Sequence, residues 1–224
     1  IATPTETHAE IATLFLSHGI PVLVEKPLAR SVAEADAIIA AAARSGAALA
    51  VGHTERFNPA VVAARPAVDN PGFIEVHRLG TFPERSLDID VVFDLMIHDL
   101  DLVLSIVQSE IESIEAVGVP VLTDRFDIAN ARLRFASGCV ANITASRISR
   151  DRTRKIRFFQ RDAYISIDTG AKEAEVYRLV RSAGCRPAIE GGKIPVPDGE
   201  PLRNELQDFV DAVRFGRAPL VGGH

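Results

Sequence analysis

The sequence is short of several things, and each shortage excludes a class of protein. Its 224 residues contain two cysteines, Cys139 and Cys185. Thiols that far apart read as free groups in a reducing cytoplasm, with a single disulfide as the alternative, and they rule out a disulfide framework. No run of about 18 apolar residues occurs, so no membrane span is expected. Positive charge is not in excess: 25 Lys and Arg stand against 30 Asp and Glu, for a net charge of −5. A general nucleic-acid binder needs a basic surface to displace counterions, so that class is set aside. The start, Ile1-Ala2-Thr3-Pro4, has neither the basic region nor the apolar stretch of a secretory signal. It also lacks a methionine, which predicts a fragment or the ordered part of something longer. What remains, 47% hydrophobic and 25% charged residues, is the balance of a soluble globular protein.

The first 50 or so residues repeat one pattern twice. Residues 5–18 are helix-like and end at Gly19, and an apolar run at 20–24 comes next that reads as a buried strand. Ser31 and Glu34 then form a capping box for a helix over 31–45, with Gly46 as its C-terminal cap. A second apolar strand covers 47–51. Helices alternating with continuous apolar strands predict βαβ units and a parallel sheet. The pattern then changes. A short helix is expected at 58–68, a strand at 73–82 and a long helix at 91–108. Alternating strands of an antiparallel meander are expected between 111 and 181, at 131–135, 139–148, 155–160, 164–168 and 173–181. The stretch 190–201 holds three Gly and three Pro residues and reads as a loop. An amphipathic helix over 202–215 closes the chain. The expected fold class is α/β: the C-terminal part of a Rossmann-type parallel domain, then an α+β domain with a large, mostly antiparallel sheet. The expected domains are 1–58, 59–201, and a C-terminal stretch, 202–224, that packs back towards the first.

The helix expected at 91–108 is apolar on most of its circumference, and such a helix is normally buried. It nevertheless carries Asp90, Asp94, His98, Asp101 and Ser105, which fall within about 40° of one line at 100° per residue. Burying unpaired carboxylates costs several kcal/mol, so the stripe must meet a partner, solvent or a ligand. One reading is a structural Asp–His hydrogen bond. The other makes Asp94 the orienter and His98 the general base of a site. A zinc site from His53, Asp94 and His98 fits no metal-ligand spacing, and no metal is expected.

The second informative stretch is Val22-Leu23-Val24-Glu25-Lys26-Pro27. A buried parallel strand ends here, and ligands in open α/β sheets sit beyond such ends. Pro27 restricts the backbone of Lys26. An ammonium at this place can hydrogen-bond the oxygen of an alcohol or carbonyl and favour its oxyanion character during hydride transfer. The plain alternative is a surface lysine after a strand.

Four segments, in order and spacing, resemble the Gfo/Idh/MocA family of oxidoreductases. Thr3-Pro4-Thr5-Glu6-Thr7-His8 resembles the family's T-P-x-x-x-H turn after the fourth Rossmann strand. Glu25-Lys26-Pro27 resembles its E-K-P motif, and Gly52 to Pro59 its G-x-x-x-R-F-N-P segment. Asp94 to Leu100 is similar to its D-x-x-x-H-D-L helix. The resemblance covers nearly the whole chain. It implies an NAD- or NADP-dependent dehydrogenase of a sugar, polyol or nucleotide sugar. Lys26 would polarise the substrate oxygen, His98 would accept the hydroxyl proton, and Asp94 would position His98 or touch a neighbouring hydroxyl. Thr3, Pro4, His8, Glu25, Lys26, Pro27 and Arg56 would line the cofactor. Asn58 would sit where the two domains meet, and substrate would be met by Lys26, Asn58, Asp94 and His98, with Arg85 in the loop before the helix as a further contact. The sheet's exposed face would build a homodimer or homotetramer.

The family's G-x-G-x-x-G turn would lie before Ile1, about 60 residues or more of βαβ structure. Without that helix N-terminus for phosphates, this chain alone is expected to have little cofactor affinity or activity. The alternative is a non-catalytic sugar-binding or assembly module that uses the sheet face. Arg152, Arg154, Lys155, Arg157 and Arg161 form a basic run, read as the wet face of a strand rather than a phosphate site.

Overall fold

The computed structural model describes residues 1–82, 89–181 and 186–224. The chain divides into two compact units, one made of Ile1–Phe57 with Gly199–His224, the other of Asn58–Asp198.

In the first unit a 3-10 turn, Thr5–Thr7, leads into helix α1 (His8–Ser17), strand β1 (Val22–Glu25), helix α2 (Val32–Ser45) and strand β2 (Leu49–Gly52). β1 and β2 pair in parallel, Val22 opposite Leu49 and Glu25 opposite Gly52. Ile1 extends this ladder: its amino group donates to Leu23 O, and its carbonyl accepts from Glu25 N. On the other side Val51 N donates to Val221 O. Ser31 caps α2 by accepting from Glu34 N, while Glu34 turns to Arg30 N instead of closing a reciprocal box. Gly46, at φ 71°, ends the helix in the left-handed conformation that a side chain would oppose. Ala12, Leu16, Val22, Val24, Ile38, Ala41 and Leu49 form the core. Helix α5 (Pro201–Phe215) belongs to this unit and packs on a 3-10 turn, Thr54–Phe57, just after β2.

The second unit opens with helix α3 (Pro59–Ala64) and is built on eight strands: β3 (Phe73–Leu79), β4 (Ile111–Val119), β5 (Ile128–Phe135), β6 (Val140–Ser146), β7 (Thr153–Gln160), β8 (Ala163–Asp168), β9 (Glu173–Val180) and β10 (Ala188–Lys193). Their order is β10-β9-β8-β7-β3-β6-β5-β4. The first strand is therefore central, parallel to β6 and antiparallel to β7, so the sheet is not a simple meander. Inward residues alternate with half-exposed ones along β3, as a sheet with one covered face requires. The inner face carries Ile74, Val76, Ala141, Ile143, Ile156, Phe158, Ile165 and Ile167, all within the main core. α3 covers β8 and β9, and helix α4 (Ile97–Ile106) covers β3 and β6.

Two expectations need correction. Residues 188–193, expected within or beside a loop, are the edge strand β10. Its Gly191, at φ 140°, lies so close to β9 that a Cβ would collide with Val176 O, so glycine here permits pairing and does not mark a loop. The helix expected at 91–108 is a π turn, Val92–Met96, continued by α4. Nor is it buried all round, since Phe93 is 49% and Leu104 45% exposed.

Candidate active site

One set of candidate residues lies at the carboxyl ends of β1 and β2. Glu25 ends β1 and Gly52 ends β2, side by side. A Cβ on Gly52 would stand 3.0 Å from a Glu25 carboxylate oxygen and 3.2 Å from its Cα. Glycine thus lets the Glu25 side chain lie across the end of the neighbouring strand. Glu25, Lys26, Pro27 and Arg56 are partly exposed, and Thr3 and Pro4 are exposed. The Lys26–Pro27 peptide is cis. His8 is 1% exposed, with Nδ1 3.0 Å from Pro27 O and Nε2 2.9 Å from Thr3 O. It therefore braces the Thr3-Pro4 turn against the segment that carries Lys26. Burial and these two contacts give His8 a role in supporting the turn and the Lys26 segment.

Glu205 of α5 belongs to the same unit. It is 2% exposed, and its Oε2 accepts a hydrogen bond from Thr54 Oγ1 at 3.1 Å. Burial pushes its carboxyl up, the Thr54 hydroxyl pulls it partly back, and the Glu25 charge adds to the rise, to about 7.

The other set lies on the segment 90–106 of the second unit. Asp94 stands in the π turn and His98 in the first turn of α4, both partly exposed. π turns inside helices are frequent at functional sites. His98 Nδ1 is sealed from solvent, so the exposed part of the residue lies elsewhere. The polar stripe is less uniform than a straight α-helix predicts. The extra residue in a π turn rotates every later position around the helix axis. Asp90 Oδ1 accepts from Phe126 N, and Ser105 Oγ donates to Leu102 O of its own helix.

Two buried ion pairs fix this segment. Arg78, on β3, grips Asp99 with Nε to Oδ2 at 2.7 Å and Nη2 to Oδ1 at 2.8 Å. Arg147, just past β6, donates from Nε to Asp127 at 2.8 Å and from Nη1 to Ile89 O at 2.7 Å. Asp127 Oδ2 collects the N–H groups of Val121, Leu122 and Thr123. Burial alone would raise the Asp127 carboxyl; these N–H groups and the Arg147 guanidinium outweigh it and hold the carboxyl well below the usual range. Phe126 N and Val91 N close the clasp, donating to Asp90 Oδ1 and Phe126 O. The start of the π turn is thus tied to the 121–127 loop, and the first turn of α4 to the sheet.

Asn58, expected to meet substrate, caps α3: its Oδ1 accepts from Ala60 N and its Nδ2 donates to Thr169 O, and it is 2% exposed. Arg85 lies outside the described residues. Among the described residues no group of three or more His, Cys, Asp or Glu is placed to hold a metal ion, and no helix is long and apolar enough to cross a membrane. Cys139 is buried, and burial pushes its thiol up to about 11, far from the reactive thiolate form.

The motifs and folds can be set beside known proteins. A family model described as an oxidoreductase family with an NAD-binding Rossmann fold matches residues 1–53, and one for the Gfo/Idh/MocA C-terminal domain matches residues 68–166. Over 227 residues the chain is 39% identical to UDP-N-acetylglucosamine 3-dehydrogenase of Acidithiobacillus ferrooxidans, covering 100% of this chain and 72% of that protein. The chain belongs to the Gfo/Idh/MocA oxidoreductase family. A solved structure of the Acidithiobacillus enzyme matches it with a TM-score of 0.91 and 37% identity, covering 99% of this chain and 71% of that one. Scyllo-inositol 2-dehydrogenase (NAD(+)) of Bacillus subtilis is 27% identical over 242 residues, or 99% of this chain and 68% of that protein. As a Gfo/Idh/MocA member the chain is a dehydrogenase that works with a nicotinamide dinucleotide.

Within that family framework, Arg78, Asp127, Arg147 and Glu205 are residues that motif spacing does not single out, while Asp99 lies in the D-x-x-x-H-D-L segment with no role assigned from the sequence. A signal for the two arginines is nevertheless present in the sequence. Ile74, Val76 and Arg78 share one phase of β3, and Ala141, Ile143, Ala145 and Arg147 one phase of β6 and its extension. A charge at an inward position of an alternating strand demands a buried partner.

Proposed function

We propose that this protein oxidises a secondary hydroxyl of a nucleotide-linked sugar, with a polyol as the next substrate class, and runs the ketone reduction in reverse. The observation that carries the substrate class is the 39% identity to a UDP-N-acetylglucosamine 3-dehydrogenase across the whole chain. Strand-end Glu25 folded across Gly52, beside an exposed Thr3-Pro4 turn, is a shape suited to the nicotinamide end of the dinucleotide. Thr3, Pro4, Glu25, Lys26, Pro27 and Arg56 would hold that end, with His8 fixing the turn beneath them. When bound, the oxidised nicotinamide supplies the acceptor for the hydride that leaves the carbinol carbon.

The chain's own residues do the rest. Lys26 Nζ donates a hydrogen bond to the reacting oxygen and stabilises negative charge as the C–H bond breaks. His98 takes the hydroxyl proton at Nε2, because Nδ1 is the sealed nitrogen. Asp94 holds His98 or a neighbouring substrate hydroxyl. The alcohol loses a hydride and a proton and becomes a ketone.

The test is turnover of UDP-N-acetylglucosamine and of inositols with NAD and NADP by the chain joined to a G-x-G-x-x-G βαβ segment, monitored by formation of the reduced dinucleotide. Selective turnover of the nucleotide sugar is expected. Preference for free inositols would move the substrate to the polyol class, and no turnover of either would remove the reading.

The open face of the eight-stranded sheet fits a second copy of the chain. Phe73, Phe159, Tyr164 and Tyr177 form one row across four strands, with ring centroids 5.7, 5.2 and 6.2 Å apart. Aromatic rows of this kind supply large contact areas. Tyr164→Glu should halve the mass seen by sedimentation, and an unchanged mass would place the assembly elsewhere.

A further inference from the structure

One carboxyl group of the first unit has no part in the chemistry above. Glu205 is 2% exposed, and its Oε1 is sealed from solvent with no hydrogen-bond partner among the described residues. Its other oxygen has the single hydroxyl donor of Thr54. A buried carboxylate ordinarily collects a cation or several N–H groups, as Asp127 does in the second unit. The turn packed against α5 offers Glu55 and Arg56, with His53 just before it, and the end of β1 offers Glu25. Of the charges acting on Glu205, the one that matters most is Glu25, and it repels. α5 is otherwise an exposed amphipathic helix whose buried positions are Glu205 and Ala212. An acid at the buried position facing the strand ends costs stability if ionised, and little if it keeps its proton.

We infer that Glu205 is held as a neutral carboxylic acid in the cofactor-free enzyme, and that it releases its proton when the oxidised, cationic nicotinamide binds beside Glu25. The inference rests on reading the β1 and β2 ends as the nicotinamide site. The physical argument is linkage: a cation that arrives next to the carboxyl pair favours its ionised form. The carboxyl O–H bond breaks and the proton passes to solvent. Once hydride transfer has neutralised the ring, the same carboxylate takes a proton back. Glu205 thereby makes binding of the oxidised cofactor stronger, relative to the reduced one, as pH rises through neutrality. It is a positioning residue for charge and makes no claim to touch substrate.

The direct test, on the chain joined to a G-x-G-x-x-G βαβ segment, is calorimetry of NAD(P) binding at neutral pH in two buffers of different ionisation enthalpy. A group half protonated at that pH gives on the order of half a proton released per site for the oxidised cofactor. The reduced cofactor should release far less, and Glu205→Gln should bind the oxidised cofactor with no buffer dependence. A carbon-detected titration of the wild-type Glu205 carboxyl, free of cofactor, should find its midpoint near neutrality. Buffer-independent binding by the wild type, equal release by Glu205→Gln, or a carboxyl that titrates in the ordinary acidic range would each overturn the inference while leaving the dehydrogenase reading intact. No binding of either cofactor at saturation would overturn both.

Discussion

Arg78 and Asp99 meet inside the second unit as a two-pronged ion pair, 2.7 and 2.8 Å long, with the two side chains 5% and 2% exposed. The residue before Asp99 is His98. The pair joins the central strand β3 to the first turn of α4, and so fixes the height and rotation of the turn that carries the proposed base. A planar guanidinium held at two points sets an angle as well as a distance. Within one His-Asp dipeptide, Asp99 is the anchor and His98 is the proposed base.

Breaking the pair from one side should be expensive. Arg78→Leu leaves Asp99 buried without its cation and is expected to lose about 3–5 kcal/mol of stability in urea unfolding. Arg78→Leu with Asp99→Leu should recover much of that loss, because the uncompensated charge is gone. A single mutant as stable as the wild type would show that the pair is not needed to hold α4 on the sheet.

The Asp127 clasp predicts a pH dependence of stability. Its carboxyl is depressed in the folded state, so its contribution is complete above the ordinary value of 3.8 and is lost as pH falls below it. Unfolding midpoints of the wild type should therefore drop steeply below about pH 4. Asp127→Asn should be less stable at neutral pH and show a shallower acid slope. Parallel acid profiles for the two proteins would mean that the clasp carries no linked stability.

Glu205 predicts the opposite sign. Its carboxyl is raised from 4.5 to about 7, so the unfolded chain gives up its proton first and stability falls as pH rises through that interval. Above it the slope levels off. Glu205→Gln keeps the shape of the neutral acid and should show no such fall, which makes it the more stable protein in mildly alkaline buffer. Wild-type and variant thermal midpoints that run parallel from acid to alkaline pH would contradict this.

The edge strand offers a local test. A Cβ at Gly191 would lie 1.9 Å from Val176 O. Gly191→Val should therefore detach β10 from β9, seen as faster amide exchange along 173–193 while the core strands stay protected. Unchanged protection would mean that the backbone shifts to admit the side chain.

Much of the architecture is legible in the sequence because it rests on local pattern. Continuous apolar runs mark β1 and β2, alternation marks the strands of the large sheet, and Gly46 marks the end of α2. The motifs at Thr3, Glu25-Lys26-Pro27 and Asp94 to Leu100 mark candidate residues because each lies where a strand or helix must present polar groups. The illegible features depend on distant partners. β3 is central because β6 and β7 pair on either side of it, which no local pattern encodes. The π turn at Val92–Met96 is held by the clasp at Ile89 and Phe126, made by residues 120–147. Gly191 reads as a loop signal because composition cannot tell a turn from a close approach of two strands. The backbone-holding bonds of His8 and Asn58 are equally hidden, since their partners, Pro27 O and Thr169 O, lie 19 and 111 residues away.

The central claim is that Lys26 and His98 act on one hydroxyl. The measurement that tests it most directly is steady-state oxidation of the nucleotide sugar by Lys26→Met and His98→Asn, each first shown to unfold at the wild-type midpoint. The account predicts a fall in kcat of about 10²–10⁴-fold for His98→Asn, the range lost with a general base, and a comparable fall for Lys26→Met, with modest change in KM for the dinucleotide. Either variant turning over within a few fold of the wild type would contradict it.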